Sequence, residues 1–169
     1  SHFDTAARDW DQRPMSQQLA AVPPRLLAHL PLAPTDHVLD FGAGTGLLAT
    51  QIAPLVEQVT ALDMSGAMLQ VLADKGFANI TPHQGDIFAG LPGRYHAIVS
   101  CMALHHVEDL ASLFAAFHAC LVPGGWVALA DLDAEDGSFH GGEAEGAKQQ
   151  VLTFNAQQRA ALLAFLNSL

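Results

Sequence analysis

Apolar residues along this chain come in short dense runs, and the runs change period in a regular way. His37–Phe41 (HVLDF), Gln58–Asp63 (QVTALD), Ala78–Gln84, Tyr95–Ser100 (YHAIVS) and Trp126–Leu132 read as strands. They are nearly all apolar rather than alternating, which is the pattern of strands buried on both faces. Helical segments fall between them. Leu47–Val56 ends near Pro54, and Ser65–Lys75 has an N-cap serine and a stop at Gly76. Asp109–Leu121 carries Leu110, Leu113, Phe114, Phe117 and Leu121 on one face, and Pro123-Gly124-Gly125 reads as a turn. Strand and helix alternating at this spacing predict βαβ units around a parallel sheet, in a three-layer α/β/α arrangement.

The two ends of the chain read differently. Residues 3–13 suggest a short helix closed by Pro14. Residues 15–30 place Leu19, Val22, Leu26, Leu27 and Leu30 at helical spacing, interrupted by Pro23-Pro24. Asp131–Gly146 carries six acids and four glycines and reads as a solvated loop. Asn155–Leu166 reads as one amphipathic helix, with no strand expected after Trp126–Leu132. The expected layout is an N-terminal helical segment over 1–34, a core over 35–133, and an acidic loop with a closing helix over 134–169, all in one domain. A sheet ending at that fifth strand leaves an open edge, which invites pairing with a second copy or cover by the last helix.

Composition narrows the partners. The 169 residues are 50% apolar and 14% charged, enough apolar material for a core. The formal charge of −10 disfavours nucleic acid, whose phosphates call for clustered Lys and Arg. No apolar run approaches the roughly 18 residues of a membrane helix. Two cysteines, Cys101 and Cys120, without a CxxC spacing, spell neither a disulfide framework nor a metal site. A cytoplasmic protein with no metal is the expectation.

The chemistry concentrates in Val38–Gly46. A buried strand runs into Gly42, Ala43, Gly44, Thr45 and Gly46, and a helix follows. Glycine permits positive φ and close approach of a ligand to the backbone. In open α/β sheets ligands bind beyond the carboxyl ends of the strands. The glycines read G-x-G-x-G, and Leu47 stands where a dinucleotide fingerprint needs its third glycine. Asp40, just before the loop, suits a ligand bearing an ammonium or sulfonium group. Asp63 ends the second strand, where a carboxylate can accept both hydroxyls of a ribose. Asp86 follows the third, within reach of an adenine amino group. Three successive strands thus each bring an acid to one sheet edge. Taken singly, such acids are more often helix caps or turn formers.

VLDFGAGTGLL (38–48) resembles motif I of the class I S-adenosylmethionine-dependent methyltransferases. ALDMS (61–65) is similar to their ribose-binding segment, and GDIF (85–88) to their adenine-contacting segment. YHAIVSCMALHHV (95–107) resembles the strand-four motif of the small methyltransferase type 11 group, and LVPGGWVAL (121–129) the turn into strand five. The segment from Phe3-Asp4 to Trp10-Asp11 is similar to the N-terminal lid of some small members. The resemblance implies S-adenosylmethionine as cofactor, S-adenosylhomocysteine as product, and a central strand order of 3-2-1-4-5. It implies that the Gly42–Gly46 backbone, Ala43 included, holds the methionine part. Asp63 takes the ribose, Met64 packs on adenine, Asp86 and Ile87 contact adenine, Cys101 lies near the methionine, and Trp10 closes over the site.

Methyl transfer needs an in-line nucleophile, and a base only when that nucleophile must lose a proton. His105 and His106, after strand four, are the candidate bases. Ser100-Cys101-Met102-Ala103 stands where DNA and protein-glutamine methylating enzymes carry an Asn/Asp-Pro-Pro-Tyr/Phe motif, so a small-molecule acceptor is expected. Two alternatives stay open: a module that binds the same nucleoside without turnover, and a nicotinamide-dependent oxidoreductase. Family members continue past strand five with a helix and a further strand pair. This chain, as read, lacks those last two strands.

Overall fold

The computed structural model describes residues 6–13, 27, 30–91, 93–101, 103–104, 107–132 and 149–155. Among them a six-stranded sheet runs β3-β2-β1-β4-β5-β6. Its strands are β1 (His37–Phe41), β2 (Gln58–Asp63), β3 (Ile80–Gln84), β4 (Tyr95–Cys101), β5 (Leu121–Leu132) and β6 (Gln149–Asn155). The first five are parallel, with Val38 opposite Val59 on one side and Ala97 on the other. The order puts a topological switch between β1 and β4, since the chain leaves β1 toward β2 and returns on its other flank.

Successive residues of each strand feed opposite faces. Val38, Val59, Ala61, Ala97, Val99 and Ala128 pack under α1 (Ala49–Ile52) and α2 (Gly66–Asp74), through Ile52, Leu69 and Leu72. Leu39, Leu62, Ile98, Val127 and Leu129 pack under α3 (Leu110–Cys120), through Leu113, Phe114 and Phe117. Both faces are covered, so the apolar strand runs need no polar side. Each large buried side chain contributes about 1.5–3 kcal/mol. This burial holds β1 and β4 rigid at the centre.

Helix ends follow the sequence signals. The Ser65 side chain accepts from the Met68 amide at 3.2 Å, and Asp109 caps α3 by accepting from the Ser112 amide at 3.0 Å. Gly76 stands at φ +78° just after α2. The stretch expected as one helix over 47–56 is a single α-turn, α1, followed by a 3-10 turn at Ala53–Leu55 that contains Pro54. Proline lacks the N–H that would continue the ladder.

Two expectations change. Pro123-Gly124-Gly125 lies inside β5 rather than before it. Tyr95 pairs with Leu121 and Ala97 with Trp126, so residues 122–125 bulge out of one long strand. Gly124, at φ +78°, serves that bulge. The chain also does not end its sheet at β5. β6 pairs antiparallel with β5 from Gln149 opposite Leu132 to Asn155 opposite Trp126. One of the two strands expected to be missing is therefore present. The open β5 edge is filled by backbone pairing, so the homodimer argued from that edge loses its basis. Asn155, expected to open the closing helix, ends β6. The remainder of that helix, the kinked segment over 15–30 apart from Leu27 and Leu30, and most of the acidic loop lie outside the described residues. Among the described residues no helix is long and apolar enough to cross a membrane.

Candidate cofactor site at the switch point

β1 and β4 stop pairing at Asp40 opposite Val99, although each runs on, to Phe41 and to Cys101. There the Ser100 hydroxyl donates to the Phe41 carbonyl at 2.8 Å, taking up an acceptor near the end of the ladder. Gly42, Gly44 and Gly46 follow at φ +68°, +56° and +85°. They are not alike. A Cβ on Gly42 would stand 2.4 Å from the Ala103 Cβ, and one on Gly46 would stand 2.2 Å from Leu72 Cδ1. Those two glycines let the loop pack closely on the segment after β4 and on α2. A Cβ on Gly44 would meet nothing within 4 Å. Gly44 thus faces open space, the cradle a ligand needs.

Asp63 braces this loop. One carboxylate oxygen accepts from the Gly44 amide at 2.8 Å and the other from the Ser65 amide at 2.9 Å. The Ala43 amide donates to the Leu62 carbonyl at 3.0 Å. Each Asp63 oxygen retains a second acceptor position, one for each hydroxyl of a vicinal diol. Asp63 is half-buried, so a ligand can reach it.

Asp40 is the unusual member. It is 1% exposed, and its Oδ2 is the one buried side-chain polar atom without a hydrogen-bond partner among the described residues. Burial pushes its pKa up to about 8, the neighbouring Asp63 charge pushes the same way, and the Ala49 amide offsets part of this. A buried polar atom with no partner is costly. Asp40 stands two residues before Gly42, its Oδ2 closed off from solvent, where its charge state responds to the field of a charged group at the loop rather than to direct contact.

Asp86 is exposed and caps the short 3-10 turn Ile87–Ala89, accepting from the Phe88 amide at 2.9 Å. That cap engages one carboxylate oxygen. Met64 is 73% exposed and Phe88 55%, giving apolar surface just beyond β2 and β3. Ile87 is buried in the cluster under α3. Cys101 ends β4, half-buried. Trp10 sits in a 3-10 helix at Ala7–Gln12, with the Arg13 guanidinium 5.3 Å from its ring centroid. His105 and His106 lie outside the described residues.

Residues 10–164 match the family model described as a methyltransferase domain. The chain belongs to this methyltransferase family. It is 32% identical over 146 residues to the ubiquinone biosynthesis O-methyltransferase of Albidiferax ferrireducens, covering 80% of this chain and 58% of that protein. It thus spans a little over half the length of that relative. A solved S-adenosylmethionine-dependent methyltransferase from Mesorhizobium loti is 31% identical, with a TM-score of 0.59 over 64% of this chain and 52% of that one. The DhpI–SAM–HEP complex, at 21% identity, shares the fold with a TM-score of 0.72, over 98% of this chain and 86% of that one. The cofactor of the family is S-adenosylmethionine, and this methyltransferase-family site fits it. The open space at Gly44 and the half-buried Asp63 carboxylate beside it leave room and acceptor positions for such a group.

Sequence reasoning missed three residues here. Ser100 tethers β1 to β4, and Thr45 and Lys75 both bond to Asp11. A serine within an apolar strand was a signal for the first. Lys75 and Thr45 are 30 residues apart and gave none.

Proposed function

We propose that this chain is a methyltransferase that moves a methyl group from S-adenosylmethionine to a small-molecule acceptor by in-line displacement. The pairing of an open glycine cradle with the Asp63 carboxylate carries this reading. In it, Gly42–Gly46 and Asp40 hold the amino acid end and Asp63 the ribose. Asp86, Met64 and the backbone around Ile87 border the adenine. Cys101 and Trp10 flank the methionine side. Bound there, S-adenosylmethionine supplies a methyl group on a positively charged sulfur, which leaves as a neutral thioether. The protein's part is to fix the reacting groups in line and exclude water, and well-oriented groups gain about 7–11 kcal/mol from such placement. An acceptor that must lose a proton gives it to a neighbouring base, for which His105 and His106 are the candidates.

The relative that acts in ubiquinone biosynthesis supports a hydroxyl as the acceptor group. The thiols Cys101 and Cys120 accord with a reducing, cytoplasmic setting. The test is incubation with S-adenosylmethionine and separate panels of phenols, amines, thiols and carboxylic acids, scored by S-adenosylhomocysteine released. Release with the phenols is the expected result. Cofactor binding without release on any panel would favour the non-catalytic module. Binding of NAD instead would return the oxidoreductase.

A further inference from the structure

Asp11, Thr45 and Lys75 close a ring of polar contacts between three distant parts of the chain. The Thr45 hydroxyl donates to one Asp11 oxygen. Lys75 Nζ stands 2.8 Å from the other, and also donates to the Thr45 carbonyl at 2.7 Å. Asp11 belongs to the N-terminal 3-10 helix, Thr45 lies between two positive-φ glycines, and Lys75 caps the C-terminal end of α2. Thr45 is 1% exposed, while the side chains of Lys75 and Asp11 are 28% and 34% exposed. A pair so placed is screened less by salt than one on open surface.

The ring grips Thr45 at two points, its hydroxyl and its carbonyl. Gly44 on one side is held by Asp63, and Gly46 on the other is pressed against Leu72 of α2. Of the five loop residues Thr45 alone carries a polar side chain, and that side chain ties the loop to the residue following Trp10. Lys75 is the cation that neutralises the Asp11 carboxylate in this ring, and charge-assisted bonds of this kind are stronger than neutral ones.

We propose that Lys75 is a positioning residue: acting through Asp11 and Thr45, it fixes the glycine loop in its cofactor-receiving shape and holds the Trp10 helix against that loop. The proposal rests on the cofactor site described above, and it assigns to α2 a role in cofactor affinity that its sequence does not advertise.

The test compares Lys75→Met, Lys75→Arg and Asp11→Asn with Asp74→Asn, an exposed neighbour that accepts from Gln70 outside the ring. Affinity for S-adenosylhomocysteine is read by calorimetry. Trp10 is read by acrylamide quenching in a Trp126→Phe background, since the chain has two tryptophans. Lys75→Met is expected to weaken binding on the order of tenfold, the scale of a hydrogen-bonded charge, and to raise Trp10 quenching without ligand. Lys75→Arg restores part of both. The Lys75→Met/Asp11→Asn double variant loses no more than Lys75→Met alone, and Asp74→Asn changes neither reading. Wild-type affinity and quenching in folded Lys75→Met would overturn the proposal. Should that variant fail to fold, Asp11→Asn carries the same comparison. A wild-type chain that binds no S-adenosylhomocysteine would refute the cofactor site and the affinity role of Lys75 with it, while quenching still judges whether the ring holds Trp10.

Discussion

The two ends of β1 handle polar groups in opposite ways. At its start the His37 amide donates to His96 Nδ1 at 2.9 Å, and His37 Nε2 meets Glu57 at 2.7 Å on the surface. Nearby, Asn79 donates to the Ala53 carbonyl at 2.7 Å and closes the turn after α1. These groups find partners within the protein or face water. At the other end Asp40 is buried with an unpartnered oxygen, and the loop that follows carries Gly44, whose missing side chain leaves open space. Burial without a partner is tolerated where something else completes the bonding. One strand therefore has an end whose polar atoms are satisfied and an end where a buried oxygen is not, and that difference, more than residue type, marks the second as the candidate site.

The contrast is easiest to break at Gly46. Gly46→Ala forces a Cβ into Leu72 at a positive φ, and is expected to cost about 2–4 kcal/mol from overpacking and left-handed strain. Urea denaturation measures this. Gly44→Ala, with open space around it, costs only about 1–2 kcal/mol of backbone strain, yet should obstruct ligand approach. If both variants lose stability equally, the distinction between packing and cradle glycines fails.

Asp63→Ala comes next. It is expected to weaken S-adenosylhomocysteine binding by about 1–3 kcal/mol, the cost of unpaired polar partners, and unchanged affinity by calorimetry would remove the ribose assignment. Asp40 gives a pH signature. Its native pKa is raised to about 8, so between about pH 4 and 8 the unfolded chain has lost a proton that the native one keeps. Rising pH therefore favours unfolding across that window. Melting temperatures of the wild type should fall relative to Asp40→Asn from pH 5 to 8, and parallel curves would contradict the burial argument. The smallest effect belongs to the satisfied end. Glu57→Gln breaks an exposed pair and should change stability by less than about 1 kcal/mol, with ligand affinity untouched in the same titration.

Much of this was legible in the sequence for physical reasons. β1, β2 and β4 announce themselves because strands buried on both faces must be apolar, and Gly42–Gly46 because only glycine suits such a turn; β3 is an edge strand with Thr81, Pro82 and Gln84 exposed, and was legible from its place in the alternation instead. β6 was not. QQVLTFN is short, and its Val, Thr and Phe run between an acidic loop and an alanine-leucine stretch whose helical period masked them. The β5 bulge was hidden because Pro-Gly-Gly reads as a turn whether it precedes a strand or interrupts one. For Asp86 the structure shows the cap, engaging one oxygen of an exposed carboxylate, so a cap does not by itself argue against a ligand role. The ring of Asp11, Thr45 and Lys75 depends on tertiary contacts across 30 and 34 residues, which no local pattern encodes.

The most direct test of the central claim is calorimetric titration with S-adenosylhomocysteine near pH 7 in two buffers of different ionisation enthalpy. The account predicts binding with release of up to one proton, because a positive charge held at the adjoining glycine loop favours the ionised form of Asp40, whose burial keeps it protonated without ligand, and loss of that release in Asp40→Asn. A folded chain that binds nothing, or whose heat of binding is the same in both buffers, would contradict it.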